Sequence, residues 1–203
     1  MRSKKIRLYT VQPLEVLDVL QSKGCFSCDS SLSKGGKCKE FRRAYDWIGT
    51  EMDKRKISHP ERIELPLWAW HTRDWKRNAD ISYNNYELGN TGEKYACIEF
   101  AIPDDQVLLS DYNAWHNVLN NTWYEDSTNE EEFEAMQTWF DSQDDETRRK
   151  LTVESWQKVF DVSPLKSNWL HRGRYIQATF WELRSDMIHN VKTFVCGSKE
   201  NKI

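Results

Sequence analysis

Ten tryptophans are spread along this chain of 203 residues, with eight tyrosines and eight phenylalanines among them. Aromatic side chains bury roughly 150–250 Å² each, so this many rings must fill a core or line a groove. A chain of this length can enclose such a core in one globular domain, 1–203, without disulfide or metal staples.

Apolar residues make up 38% and charged residues 30%, a balance that folds rather than staying disordered. The formal net charge of -3 supplies no global positive field to hold nucleic acid, so only a local basic patch could do so. The five cysteines are an odd number, and two of them sit in apolar strand-like runs. That pattern points to a reducing, cytoplasmic setting rather than a disulfide framework. Met1 to Lys5 leads straight into a strand pattern with no apolar signal segment after it. No apolar run is long enough to span a membrane.

Hydrophobic periodicity outlines the elements. Residues 6–11 alternate as a strand. Pro13, then Leu14, Leu17 and Leu20, predict a helix that Gly24 ends. Residues 25–38 read as a loop, and 39–54 as a helix with Phe41, Tyr45, Ile48 and Met52 on one stripe. Residues 63–70 read as a strand that Pro66 assigns to an edge or a bulge, and 72–93 as a long loop. Strands follow at 95–102 and 107–109, then a helix capped by Ser110 or Asp111. The 125–150 region is acidic and helical; residues 125–146 hold ten Asp or Glu and no Lys or Arg. A helix at 153–160, with Val153, Trp156 and Phe160 inward, precedes strands at 175–183 and 191–195. Strands spaced this irregularly predict an α+β fold, with a mixed or mostly antiparallel sheet flanked by helices.

The glycine-rich dinucleotide fingerprint, the P-loop, the zinc-protease motif and the serine nucleophile elbow are all absent. Cys25, Cys28 and Cys38 have part of a zinc-knuckle spacing. Zinc asks for two close pairs of ligands and the second pair is incomplete, so ordinary loop thiols are expected instead.

The strand Tyr175–Leu183 mixes ring and polar groups on both faces: Gln177, Thr179 and Trp181 on one, Ala178, Phe180 and Glu182 on the other. Glu182 is then either a solvated strand end or a carboxylate held in an aromatic hollow, where it would stabilise a developing positive charge. His71 after Trp70, and His116 after Trp115, are either half-buried amphipathic residues or parts of a stacked ligand site. Asp111 is most simply a helix cap; alternatively it orients His71 or a ribose hydroxyl. Arg2, Lys4, Lys5, Arg7, Lys34, Lys37, Lys39, Arg42 and Arg43, with Tyr9 nearby, are a solvated face or a phosphate-binding surface for a nucleotide or RNA. The acidic 125–146 stretch is a solvated amphipathic helix or a docking face for a basic protein partner.

Five ordered motifs carry a family resemblance: Leu8 to Pro13, Ala44 to Trp47, Leu67 to Trp70, Leu108 to His116, and Ile176 to Leu183. On these the chain resembles a bacterial and phage family known as a domain of unknown function. It departs from that pattern in the Cys25–Cys38 loop and in His71 to Trp75. The layout of Tyr9-Thr10-Val11-Gln12, a helix, Gly24 and a late strand bearing a Glu also resembles the ADP-ribosyltransferase superfamily, with Thr10 where a His is usual. That likeness implies NAD as cofactor and a transferase acting on a protein or nucleic-acid acceptor. It also implies roles: Glu182 facing the oxocarbenium ion with Gln177 nearby, Tyr9, Trp70 and Trp115 stacking on nicotinamide or adenine, Arg7 on the pyrophosphate and Gln12 on a ribose. The catalytic expectation requires the first and late strands to lie side by side. The competing expectation is an interaction protein, phage-encoded or prokaryotic, that binds a host factor through its acidic surface.

Overall fold

The computed structural model describes residues 4–31, 33, 36, 38–57, 59–77 and 90–197. Its centre is a six-stranded sheet in which every recorded pairing is antiparallel. The strands are β1 (Lys5–Pro13), β3 (Leu67–Thr72), β4 (Lys94–Pro103), β5 (Leu108–Asp111), β8 (Ile176–Phe180) and β10 (Ile188–Val195). They lie in the order β10-β4-β1-β3-β8-β5. Two short two-stranded antiparallel pairs complete the strands: β2 (Cys25–Ser27) with β9 (Glu182–Arg184), and β6 (Leu165–Lys166) with β7 (His171–Arg172). The helices are α1 (Val16–Lys23), α2 (Lys39–Lys54), α3 (Tyr112–Asn120), α4 (Glu130–Asp141) and α5 (Asp145–Ser155). The α+β class expected from the strand spacing is the one observed.

Alternation along the strands divides the core in two. Leu8, Ile98, Phe100, Leu67, Ala69, Ala178 and Phe180 point to one face and are covered by Val16 and Leu20 of α1 with Leu183 and Met187. Trp68 and Leu108 point to the other face and pack against α2, α3 and the turn at 156–160. Ala44, Ile48 and Met52 recur at every fourth position of α2 and are fully buried; of the expected stripe, Ile48 and Met52 lie at its centre, while Phe41 and Tyr45 are half-buried at its margin. Gly24 ends α1 in the left-handed region (φ 73°), where its N–H reaches the Leu20 carbonyl.

Several local expectations change. Pro66 precedes β3 rather than interrupting it, and β3 lies inside the sheet, paired on both sides. The 175–183 run breaks at Trp181 into β8 and β9, and β9 leaves the main sheet to pair with β2, a strand inside the expected 25–38 loop. The 153–160 segment is the end of α5 followed by a 3-10 turn, Trp156–Phe160, with Val153 47% exposed rather than inward. In the expected 72–93 loop, Arg73 to Lys76 form a tight turn, and 78–89 lie outside the described residues. The first strand and the late strand are not neighbours, because β3 runs between β1 and β8.

Candidate functional site

β1 joins β4 through nine register pairs but joins β3 through one, Tyr9 opposite Trp70. Beyond that pair the two strands part. There a side chain replaces the backbone ladder: the Thr10 hydroxyl donates to the Trp68 carbonyl at 2.9 Å, and the Gln12 amide donates to the Thr10 Oγ1 at 2.8 Å.

A cavity of about 410 Å³ opens at this parting, a size suited to a small-molecule ligand. Tyr45, Trp68, Trp70 and Tyr112 supply rings to its wall; Thr10, Gln12 and Gln177 supply neutral polar groups; Arg73 supplies a cation. Trp70 lies 5.0 Å from Tyr112, and the Arg73 guanidinium sits 5.0 Å above the Trp70 ring, a cation–π contact. Gln177 is buried at 6% exposure, held by its amide to the Ser110 hydroxyl at 3.2 Å. Burial pushes the Tyr45 phenol up to about 12, so it stays protonated and able to donate a hydrogen bond.

Arg73 is set by an unusual turn. Asp74 (φ 47°) and Trp75 (φ 65°) are both left-handed, and for a bulky residue such as Trp75 that conformation is costly. The turn is closed by the Arg73 and Lys76 backbone groups and tied down by Trp75 N–H to the Arg174 carbonyl and by the Asp74–Arg174 ion pair at 2.8 Å.

Thr10, Gln12, Trp70 and Gln177 therefore meet in one cleft, as members of one binding site must. The other proposed site residues are elsewhere. Glu182, on β9, lines a separate cavity of about 140 Å³ with Trp181, Arg184 and Gln106. Tyr9 is not among the cleft-lining residues. Arg7 is exposed and pairs with Glu99 at 3.2 Å. Trp115 is buried in the core beside Trp68 and Trp47, too enclosed to stack on a ligand. His116 is exposed on α3, its Nδ1 bonded to the Tyr112 carbonyl at 2.9 Å. His71 is half-buried with Nδ1 2.9 Å from the Thr72 hydroxyl; burial first, then the nearby Arg77 charge, lowers its pKa to about 4.

Asp111 resolves to the helix cap. One carboxylate oxygen accepts from Asn113 and Ala114 N–H at the start of α3, and the other accepts from Gly173 N–H, which leaves neither oriented on His71 or on the cleft. Of the basic residues, Arg42 pairs with Asp46 and Glu64, while Arg43 caps α3 at the carbonyls of Val118 and Leu119. Arg2, Lys34 and Lys37 lie outside the described residues.

Of the ring, amide and cationic residues of the cleft, four escape a reading of the sequence: Tyr45, Trp68, Arg73 and Tyr112. Tyr45, Trp68 and Tyr112 stand inside the ordered motifs, where ring content was the available signal; Arg73 had none, because its position depends on the strained turn.

Among the described residues no group of three or more potential metal ligands is gathered, none of the five cysteines is in a disulfide, and no helix is long and apolar enough to cross a membrane.

The fold and site together define an antiparallel α+β protein with a ring- and amide-lined cleft between its two middle strands. The chain belongs to the family described as Domain of unknown function (DUF3841), whose pattern matches residues 7–189. No curated protein and no solved structure matches it.

Proposed function

We propose that the protein binds a nucleotide of the NAD class in the cleft between β1 and β3, as an ADP-ribosyltransferase-like protein acting on a protein or nucleic-acid acceptor. The observation that carries this reading is the convergence of four rings, two amides and one cation on a single ligand-sized hollow. Flat rings suit a base or a nicotinamide, the amides suit its hydrogen-bonding edge, and Arg73 beside Trp70 suits a phosphate.

In the transfer itself, the bond between the ribose C1′ and the nicotinamide nitrogen breaks and nicotinamide leaves with the electron pair. The acceptor's nucleophile then attacks C1′ and loses its proton. Among the described residues no carboxylate lines the cleft, so we assign the Gln177 amide, rather than Glu182, to face the developing positive charge. A neutral amide dipole stabilises a cation less than a carboxylate does, so slow glycosidic cleavage is expected.

Titration of the protein with NAD and with ADP-ribose, followed by calorimetry, tests the reading. Saturable binding that Trp70→Ala and Arg73→Ala both weaken is expected. Absence of heat up to millimolar ligand overturns it.

A second reading, a protein that docks a basic partner such as a host factor, is favoured by a different observation. Trp139 is 48% exposed on acidic α4, and Trp169 is 45% exposed and 5.7 Å from Phe133 of the same helix. Exposed rings beside unopposed carboxylates suit an interface with Lys- and Arg-rich segments. Reversing Glu130, Glu131 and Glu134 to Lys should abolish capture of such a partner and its salt dependence; unchanged capture rejects this reading.

A further inference from the structure

The hydrogen-bond chain along the edge of the cleft has a fixed direction. A backbone carbonyl only accepts, so the single hydroxyl proton of Thr10 is committed to Trp68. The Thr10 oxygen is then only an acceptor for its next partner, and Gln12 must present its NH₂ to it. Orientation of a glutamine amide is ordinarily ambiguous, but here the chain of donors settles it. No hydrogen bond from the described residues reaches the Gln12 carbonyl oxygen, and Gln12 lines the cavity.

From this we infer that Gln12 is a specificity-determining residue that reads a planar N–H₂ donor. The ligand it selects carries a carboxamide or an amino group on its ring, in preference to the corresponding acid or oxo compound. The inference rests on the nucleotide reading of the cleft and deepens it. An acid or a ring carbonyl would set two acceptors face to face. The Gln12 amide cannot turn to relieve this, because turning would aim its carbonyl at the Thr10 oxygen, which has no proton left to give. Thr10, buried at 2% exposure, is thereby a positioning residue. Two parts of NAD present the required donor: the nicotinamide carboxamide and the adenine 6-amino group.

Three ligands separate these sources: NAD, nicotinic acid adenine dinucleotide, and nicotinamide hypoxanthine dinucleotide, each titrated calorimetrically into the full chain. At least one analogue should bind about tenfold more weakly than NAD, the worth of one such hydrogen bond, and which one does so tells which end faces Gln12. In Thr10→Val the amide is released to turn, so the weakened analogue should recover and the preference should fall to about twofold or less. Gln12→Leu, at a half-buried position, should lose the preference as well. A melting curve for each variant establishes that it is folded. Equal binding of all three dinucleotides overturns the inference while leaving the nucleotide reading intact. So does a preference that survives in either variant. Failure of all three to bind removes the nucleotide reading and this inference with it.

Discussion

The Asp111 carboxylate accepts a hydrogen bond from the Gly173 backbone N–H at 2.6 Å, across 62 residues of sequence. The same side chain caps α3. One buried group thus locks the start of a helix to the turn that feeds β8, the strand carrying Gln177 into the cleft.

Replacing Asp111 by Ala removes the cap and strands the Gly173 N–H in the interior. The expected loss is about 2–4 kcal/mol, the sum of a capping contribution and an unsatisfied buried donor. Urea denaturation measures it. A loss under about 0.5 kcal/mol, within the range of an ordinary surface change, shows that the lock is not formed.

Gln177 lines the cleft that the proposed reaction would use, whereas Glu182 lies in another hollow. Gln177→Glu should raise release of nicotinamide from NAD by on the order of tenfold or more, because a carboxylate then faces the cation. Gln177→Leu should eliminate release. Glu182→Gln should leave both NAD affinity and release unchanged; a large loss in that variant would return the catalytic role to Glu182.

Thr179 stands between Trp68 and Leu108 in the sheet register, fully buried, and its hydroxyl has no hydrogen-bond partner among the described residues. The nearly isosteric change Thr179→Val should stabilise the fold by about 1 kcal/mol by removing an unpaired polar group. A rise in the urea midpoint at unchanged slope is the expected readout, and a fall contradicts it.

The imidazole of His71 titrates near pH 4 in the folded chain, against an ordinary value of 6.5. The unfolded chain therefore binds more protons at this site between those two pH values. Stability should be fully retained above pH 6.5, decline as the pH falls toward 4, and level off from this source below it. His71→Phe should flatten that part of the stability profile measured by denaturation at a series of pH values. An unchanged slope between pH 6.5 and 4 shows that the imidazole titrates normally.

Much of the fold was legible in local pattern. The stripe of Phe41, Tyr45, Ile48 and Met52 marked α2 with its observed ends, Gly24 marked the end of α1, and the start of α3 was narrowed to Ser110 or Asp111, because capping and periodicity depend on near neighbours in sequence. The α+β class followed from the same local elements. Thr10, Gln12, Trp70 and Gln177 were nameable as site candidates through the ADP-ribosyltransferase-like layout of the first strand, helix, Gly24 and late strand, together with the mixed ring and polar faces of residues 175–183.

Only the tertiary structure decided which strands are neighbours and where they part. Alternation shows which face a residue takes but not which strand pairs with which. β3 therefore came to lie between β1 and β8, and the single run of residues 175–183 divided between two sheets, taking Glu182 away from Trp70. Arg73 joined the cleft through a turn with two left-handed residues, held by contacts to Arg174 a hundred residues later. Strand order and strained turns are set by long-range packing that repays their local cost, and no window of sequence contains both sides of that balance.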